Sequence, residues 1–194
     1  MREYYHRRAP EYDEWYHGAF YAGAERESFL AERAELEGLI GALEPARTLD
    51  LACGTGFLTR YLPGEVVGLD QSDAMIAVAR EQAPNADYFV GDALALPFPD
   101  RAFERLFTGH FYGHLEPPER ELFLGEARRV ADELVVADAA RRPNHEPDEW
   151  QQRAISDGTV WPVFSKSCLP EQLVEELGGG DVLHAGQWFV VVRS

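Results

Sequence analysis

Between residues 47 and 138 the apolar positions cluster in short runs, most closing on glycine or an acidic residue. The runs are 47–51, 66–70 ending in Asp70, 87–90 leading into Gly91-Asp92, 103–108, and 133–137 ending at Asp138. Short, mainly apolar runs bounded by turn residues predict buried strands. Helix-compatible segments separate them. Phe57 to Leu62 stops at Pro63. A second helix has Ser72 as N-cap, Asp73 in its first turn, Met75, Ile76 and Val78 as apolar positions, and Pro84 beyond its end. A third runs from Pro117 to Val130 with Glu119 and Glu121 near its start. Such alternation predicts an α/β fold, a parallel sheet flanked by helices.

The flanks read differently. Phe29, Leu36, Leu39, Ile40 and Leu43 share one side of a helix that Pro45 stops, and residues 1–28, rich in Tyr, Arg, His and Glu, predict a separately docked segment. Residues 139–166 have no clear periodicity and predict a long functional loop with one short helix. A helix from Pro170 to Leu177 ends at Gly178-Gly179-Gly180, and Val182–His184 and Trp188–Val192, joined through Gly186, predict an antiparallel hairpin at the sheet edge.

Composition narrows the class. The chain has 194 residues, enough for one well-packed domain, and its 45% hydrophobic content excludes a disordered chain. A net charge of −16 repels polyphosphate backbones and acidic membranes, so neither nucleic acid nor a membrane is expected as a partner. Only Cys53 and Cys168 are present, without a CxxC, which points to no disulfide framework and no thiolate zinc site. No run approaches the ~18 apolar residues of a membrane span, and Met1-Arg2-Glu3-Tyr4-Tyr5 lacks a signal-peptide core. A cytoplasmic protein, monomeric or homodimeric, is the expectation.

The chemistry concentrates in Thr48-Leu49-Asp50-Leu51-Ala52-Cys53-Gly54-Thr55-Gly56-Phe57-Leu58. A buried strand delivers a glycine-bearing turn to a helix start, where the backbone can approach a ligand and offer N–H groups. Asp70 ends the next strand twenty positions after Asp50. A carboxylate there can accept two hydrogen bonds from a ribose.

Three motifs in order carry a family resemblance. Leu49-Asp50-Leu51-Ala52-Cys53-Gly54-Thr55-Gly56 resembles the glycine motif of class I S-adenosylmethionine-dependent methyltransferases. Gly68-Leu69-Asp70-Gln71-Ser72-Asp73-Ala74-Met75 resembles their second motif. Gly91-Asp92-Ala93-Leu94-Ala95-Leu96-Pro97-Phe98-Pro99-Asp100 resembles the third, in the form found in the ubiquinone/menaquinone-biosynthesis-type group of small-molecule methyltransferases. The resemblance covers about residues 46–138 and, loosely, the C-terminal hairpin. It implies a Rossmann-like, doubly wound, seven-stranded sheet, mostly parallel with an antiparallel C-terminal hairpin strand and helices on both faces. It also implies a division into a lid segment, 1–45, and a cofactor-binding part, 46–194, of one domain.

The implied cofactor is S-adenosylmethionine and the implied partner a small methyl acceptor. Asp50, Ala52, Cys53, Gly54 and Gly56 would surround the methionine part, and Asp70 would hold the ribose. Gln71 and Met75 would flank the adenine, and Asp92, Ala93 and Gly91 would meet its edge. Gly109 would lie near the methyl group. Tyr12 and Tyr16, in a lead-in similar to the lids of small-molecule methyltransferases, would approach the methionine carboxylate or the sulfonium.

His110 and His114 sit just past the fourth strand, at the end that faces a ligand in this fold, and are the candidate proton acceptors. Their i,i+4 spacing lacks a third ligand, so no metal is expected. Two other readings compete. A nicotinamide dehydrogenase would want glycine where Thr59 stands and a second βαβ half where the hairpin falls. A methyltransferase-like protein that binds the cofactor without transferring a methyl carries the same motifs.

Overall fold

The computed structural model describes residues 1–143, 146 and 148–194. Five parallel strands, β1 (Ala46–Leu51), β2 (Gly64–Asp70), β3 (Asp87–Val90), β4 (Phe103–Gly109) and β5 (Ala131–Ala139), follow the predicted positions closely. A second pair, β6 (Asp148–Ala154) and β7 (Val160–Lys166), forms its own antiparallel sheet. The chain returns through β8 (Asp181–Ala185) and β9 (Phe189–Arg193). β9 pairs antiparallel with β5, giving the seven-stranded order β3-β2-β1-β4-β5-β9-β8. The order reverses between β1 and β4, which opens a crevice at the carboxyl ends of these strands. A single antiparallel hairpin stands where a dehydrogenase would carry its second βαβ half.

Successive residues of the central strands face opposite cores, as the strand period requires. Leu49, Leu51, Leu106, Val136, Val190 and Val192 pack on one face, where α4 (Pro117–Val130) contributes Phe123, Ala127 and Val130 and α5 (Pro170–Glu176) contributes Leu173. Phe107, Val135, Ala137, Phe189 and Val191 pack on the other, against Phe29, Leu36 and Ile40 of α2 (Gly23–Gly41). The third long helix, α3 (Asp73–Gln82), starts at Ser72, whose hydroxyl accepts the Met75 N–H at 3.2 Å, and packs Ile76 and Ala79 against Tyr88. The predicted helix over 57–62 is reduced to a 3-10 turn, Thr59–Tyr61.

Residues 139–166 contradict the expected loop, because most of them form the β6–β7 hairpin; Asn144, His145 and Pro147 lie outside the described residues. Hydrophobic periodicity misses β6 because its alternation is inverted. Glu149, Gln151 and Arg153 turn inward, while Trp150 is 55% exposed. The N-terminal segment, α1 (Arg2–Arg8) followed by a 3-10 helix over Ala9–Glu14, bridges this hairpin and the main sheet. Tyr4 packs with Ile155 and Val163 of the hairpin region, and His6 bonds Asp73 at the start of α3 (3.0 Å). No described helix is long and apolar enough to cross a membrane.

Candidate active site

The loop after β1 enters with Ala52 at φ +57°, followed by Gly54 at +55° and Gly56 at +77°. A left-handed non-glycine residue costs of order 1–3 kcal/mol and persists only where its surroundings enforce it. His110 takes the same conformation, φ +55°, just after β4 on the other side of the crevice. At Gly56 a side chain is also excluded by space, since a Cβ would meet the Ala79 Cα at 3.1 Å. Gly56 therefore serves helix packing and does not line the slot.

Tyr12, Tyr16, Asp50, Ala52, Cys53, Gly54 and Gly109 line one narrow slot, together with Thr55, Phe57, Leu58 and Phe107, which the sequence did not single out. Tyr16 stacks on Phe57 with centroids 3.9 Å apart, and the Tyr12 ring lies against Gly54. Asp13, not among the candidate site residues, fastens the N-terminal segment: its carboxylate accepts from Thr55 Oγ1 in the glycine loop and from Gln82 Nε2 at the end of α3.

Asp70 joins two motifs. One oxygen accepts the Gly54 N–H at 3.1 Å and the other the Ser72 N–H at 2.8 Å, so the β1 and β2 loops are tied by a single side chain. The Gly91 N–H bonds the Asp70 carbonyl (3.0 Å), bringing the β3 loop alongside. Gln71, Met75, Gly91, Asp92 and Ala93 stand at this neighbouring end of the sheet and do not line the slot itself. Met75 is buried; Asp92 is exposed and caps the Leu94 N–H at 2.9 Å.

Three carboxylates are buried at strand tips. Desolvation lifts Asp50 to about 7 against the bond it accepts from Thr59 (2.6 Å), Asp70 to about 6 against its backbone donors, and Asp138 to about 6. A site that raises proton affinity in this way favours a positively charged ligand. Burial and the neighbouring Asp50 and Asp70 push the Cys53 thiol well up, so it remains an unreactive thiol. Buried carboxylates, aromatic faces and a close-approach loop fit a sulfonium nucleoside carrying an ammonium group.

A larger cavity of about 570 Å³ adjoins, lined by Tyr12 as well and by His110, His114, Trp15, Tyr5 and the inward side of β6. The His114 Nδ1 lies 2.7 Å from the Phe164 carbonyl oxygen. A carbonyl only accepts, so Nδ1 carries the proton and Nε2 keeps its lone pair. Burial, with Arg153 and Arg8 nearby, lowers His114 to about 4. His110, enclosed by Trp15, Tyr16 and Phe189, is lowered to about 3 by burial, and its Nε2 has no hydrogen-bond partner among the described residues. Both rings are neutral at physiological pH.

A crevice at the reversal of strand order, with a glycine loop and an acidic residue ending the second strand, defines a nucleoside-cofactor protein of the α/β class. Comparison with known proteins gives the particular group. Residues 48–133 match the family described as a methyltransferase domain. The chain is 43% identical over 138 residues to the demethylmenaquinone methyltransferase of Thermus thermophilus, covering 65% of this chain and 57% of that one. It is 38% identical over 142 residues to the 2-phytyl-1,4-naphtoquinone methyltransferase of Synechococcus elongatus, covering 64% and 59%. The chain thus spans between a third and three fifths of the length of the curated relatives it matches. Among solved structures, the DhpI-SAM-HEP complex superimposes with a TM-score of 0.76 at 26% identity, covering 98% of this chain and 94% of that one. These matches support a class I S-adenosylmethionine-dependent methyltransferase, with residues 48–133 carrying the methyltransferase domain.

Proposed function

We propose that this protein transfers the methyl group of S-adenosylmethionine to a small acceptor of the quinone type named for its relatives, bound in the cavity beside the glycine-loop slot. The observation that carries the reading is the junction of the two spaces at Tyr12, which brings a cofactor slot and an acceptor cavity to one aromatic wall. The cofactor supplies a methyl already activated on sulfur, so the chain's contribution is alignment, worth about 7–11 kcal/mol when geometry is good.

In this reading Asp70 accepts from the ribose hydroxyls with the lone pairs its backbone donors leave free. Gln71 and Met75 flank the adenine, Asp92 and the Ala93 N–H address its edge, and Gly91 admits it. Asp50 and the Ala52–Gly54 loop hold the methionine part, while Tyr12 and Tyr16 face the sulfonium from the lid formed within residues 1–45. His114 Nε2, oriented by Phe164, takes the proton of an acceptor hydroxyl. His110, beside Gly109, offers its unpartnered Nε2 to the acceptor.

The test is calorimetry with S-adenosylhomocysteine followed by transfer of labelled methyl to a panel of hydroquinones and phenols. Binding with transfer is expected, and His114→Gln should lower turnover by about 10²–10³ at unchanged cofactor affinity. Binding without any product would favour the cofactor-binding reading that lacks transfer, and absence of binding would contradict both.

A further inference from the structure

The inward side of β6 is polar where a strand beside a cavity would ordinarily be apolar. Along it runs a ladder: Arg153 donates through Nε and Nη2 to the Gln151 amide oxygen (3.0 and 2.8 Å), and the Gln151 Nε2 donates to Glu149 (2.6 Å). The ladder orients the guanidinium and leaves its Nη1 edge without a partner among the described residues. Arg8 enters the same cavity from α1, held by the Tyr4 hydroxyl (2.7 Å) with its guanidinium 5.0 Å from the Tyr12 ring centroid.

The other cations of this wall are neutralised. Arg142 pairs with Glu25 at 3.3 Å, and Lys166 pairs with Glu176. The cavity's carboxylates are committed to neutral donors: Glu11 to the Ser156 N–H, Asp138 to the Gly113 and Ala139 N–H groups, and Glu149 to Gln151. Glu14 and Glu146 are solvent-exposed. Arg8 and Arg153 make no ion pair among the described residues, in a chain with 34 acidic and 18 basic side chains. Both act on Tyr5, Tyr12 and His114, so their fields overlap at one place in the cavity.

We propose that the quinone-type acceptor carries, beside the ring that takes the methyl, an oxyanion substituent, a carboxylate or a phosphate-type group, and that Arg8 and Arg153 hold it there; the inference rests on the transferase reading above. A planar guanidinium with a free edge matches the paired oxygens of such a group. The anion also serves the proton acceptor. The two positive charges contribute to holding His114 in its neutral, weakly basic state, and a negative charge between them removes that repulsion. An acidic acceptor therefore supplies the direct oxyanion partner that no described side chain gives Arg8 or Arg153.

The test titrates the protein, saturated with S-adenosylhomocysteine, with benzoate, phenyl phosphate and benzamide. At least one acid should bind about tenfold or more tightly than benzamide. Arg153→Gln and Arg8→Gln should each reduce that preference several-fold, while affinity for S-adenosylhomocysteine stays within about twofold and Arg153→Lys restores part of it. Preference for benzoate assigns a carboxylate, and preference for phenyl phosphate a phosphate-type group. The inference is overturned if benzamide binds as well as both acids, if none of the three binds, or if the substitutions leave the preference unchanged. Failure of S-adenosylhomocysteine itself to bind, read beforehand in a separate titration, overturns the transferase reading.

Discussion

Asp70 accepts from two backbone N–H groups, one two residues away and one sixteen, whereas Arg153 rests on a single amide of its own strand. The contrast extends to the two halves of the site. Around the cofactor slot, polar side chains fix main chain, as Asp70 does for Gly54 and Ser72. Around the acceptor cavity the ties span long stretches of chain: the Glu11 carboxylate with the Ser156 N–H, Arg7 with Asp157 (3.3 Å), and His114 with the Phe164 carbonyl. A half tied over short stretches of chain is set by local sequence. A half tied over long ones depends on segments that meet only after folding.

Replacing Asp70 should have the largest effect. Asp70→Ala strips two buried N–H groups of their acceptor and removes the proposed ribose contacts, at a cost of about 2–4 kcal/mol. Affinity for S-adenosylhomocysteine, read by calorimetry, should fall by about 30- to 1000-fold. Near-wild-type affinity would break the assignment of the slot, and a loss at Arg153→Gln as large as that at Asp70→Ala would break the comparison.

Next is Gly56→Ala. Its φ of +77° and the 3.1 Å approach to Ala79 predict a loss of about 1–3 kcal/mol of stability, visible in a denaturant midpoint. Gly158→Ala, at the β6–β7 turn with φ +84° and open space around it, should cost less, because only the backbone term remains. Equal losses would mean that the two halves are equally rigid.

The smallest effect is on pH dependence. Asp50, Asp70 and Asp138 have folded values above the ordinary carboxylate range, so the folded state holds protons that the unfolded chain has released. Their contribution to stability is full below about pH 4 and fades as pH rises through 6 to 7. His110 and His114 act oppositely, their contribution being lost as pH falls below about 6.5. Between pH 8 and 6.5 protonation of the folded carboxylates, Asp50 first, is opposed by protonation of the unfolded histidines. The ligand-free protein should therefore change by less than about 1 kcal/mol, whereas affinity for the cationic cofactor should weaken as Asp50 becomes protonated. A calorimetric affinity that stays constant across that window would argue against cationic ligand binding at these strand tips.

The cofactor half was readable because its information is local. Asp50, the Gly54 turn, Asp70 and the Ser72 cap lie in runs whose period and punctuation name their own structure, and the strands were placed to within a few residues. The lining of the acceptor half, unlike its place beside His110, His114 and residues 139–166, was hidden for two reasons. β6 turns Glu149, Gln151 and Arg153 inward because it lines a cavity, which cancels the apolar alternation that reveals a strand. The roles of Asp13 and Arg8 depend on partners reached only after folding: Thr55 and Gln82 for one, the cavity shared with Arg153 for the other. The inverted stripe at 149, 151 and 153 was the available signal for the hairpin. Glu32, whose carboxylate accepts from the Gln187, Trp188 and Phe189 N–H groups, likewise gave no local sign of pinning the C-terminal hairpin to α2.

A crystal structure with S-adenosylhomocysteine bound tests the central claim most directly. The ribose hydroxyls should lie within hydrogen-bond reach of Asp70, with the sulfur at the Tyr12 wall facing the cavity that holds His114. An adenosyl group seated elsewhere, for instance in the separate cavity of about 440 Å³ beside Arg128 and Gly178–Gly180, would contradict it.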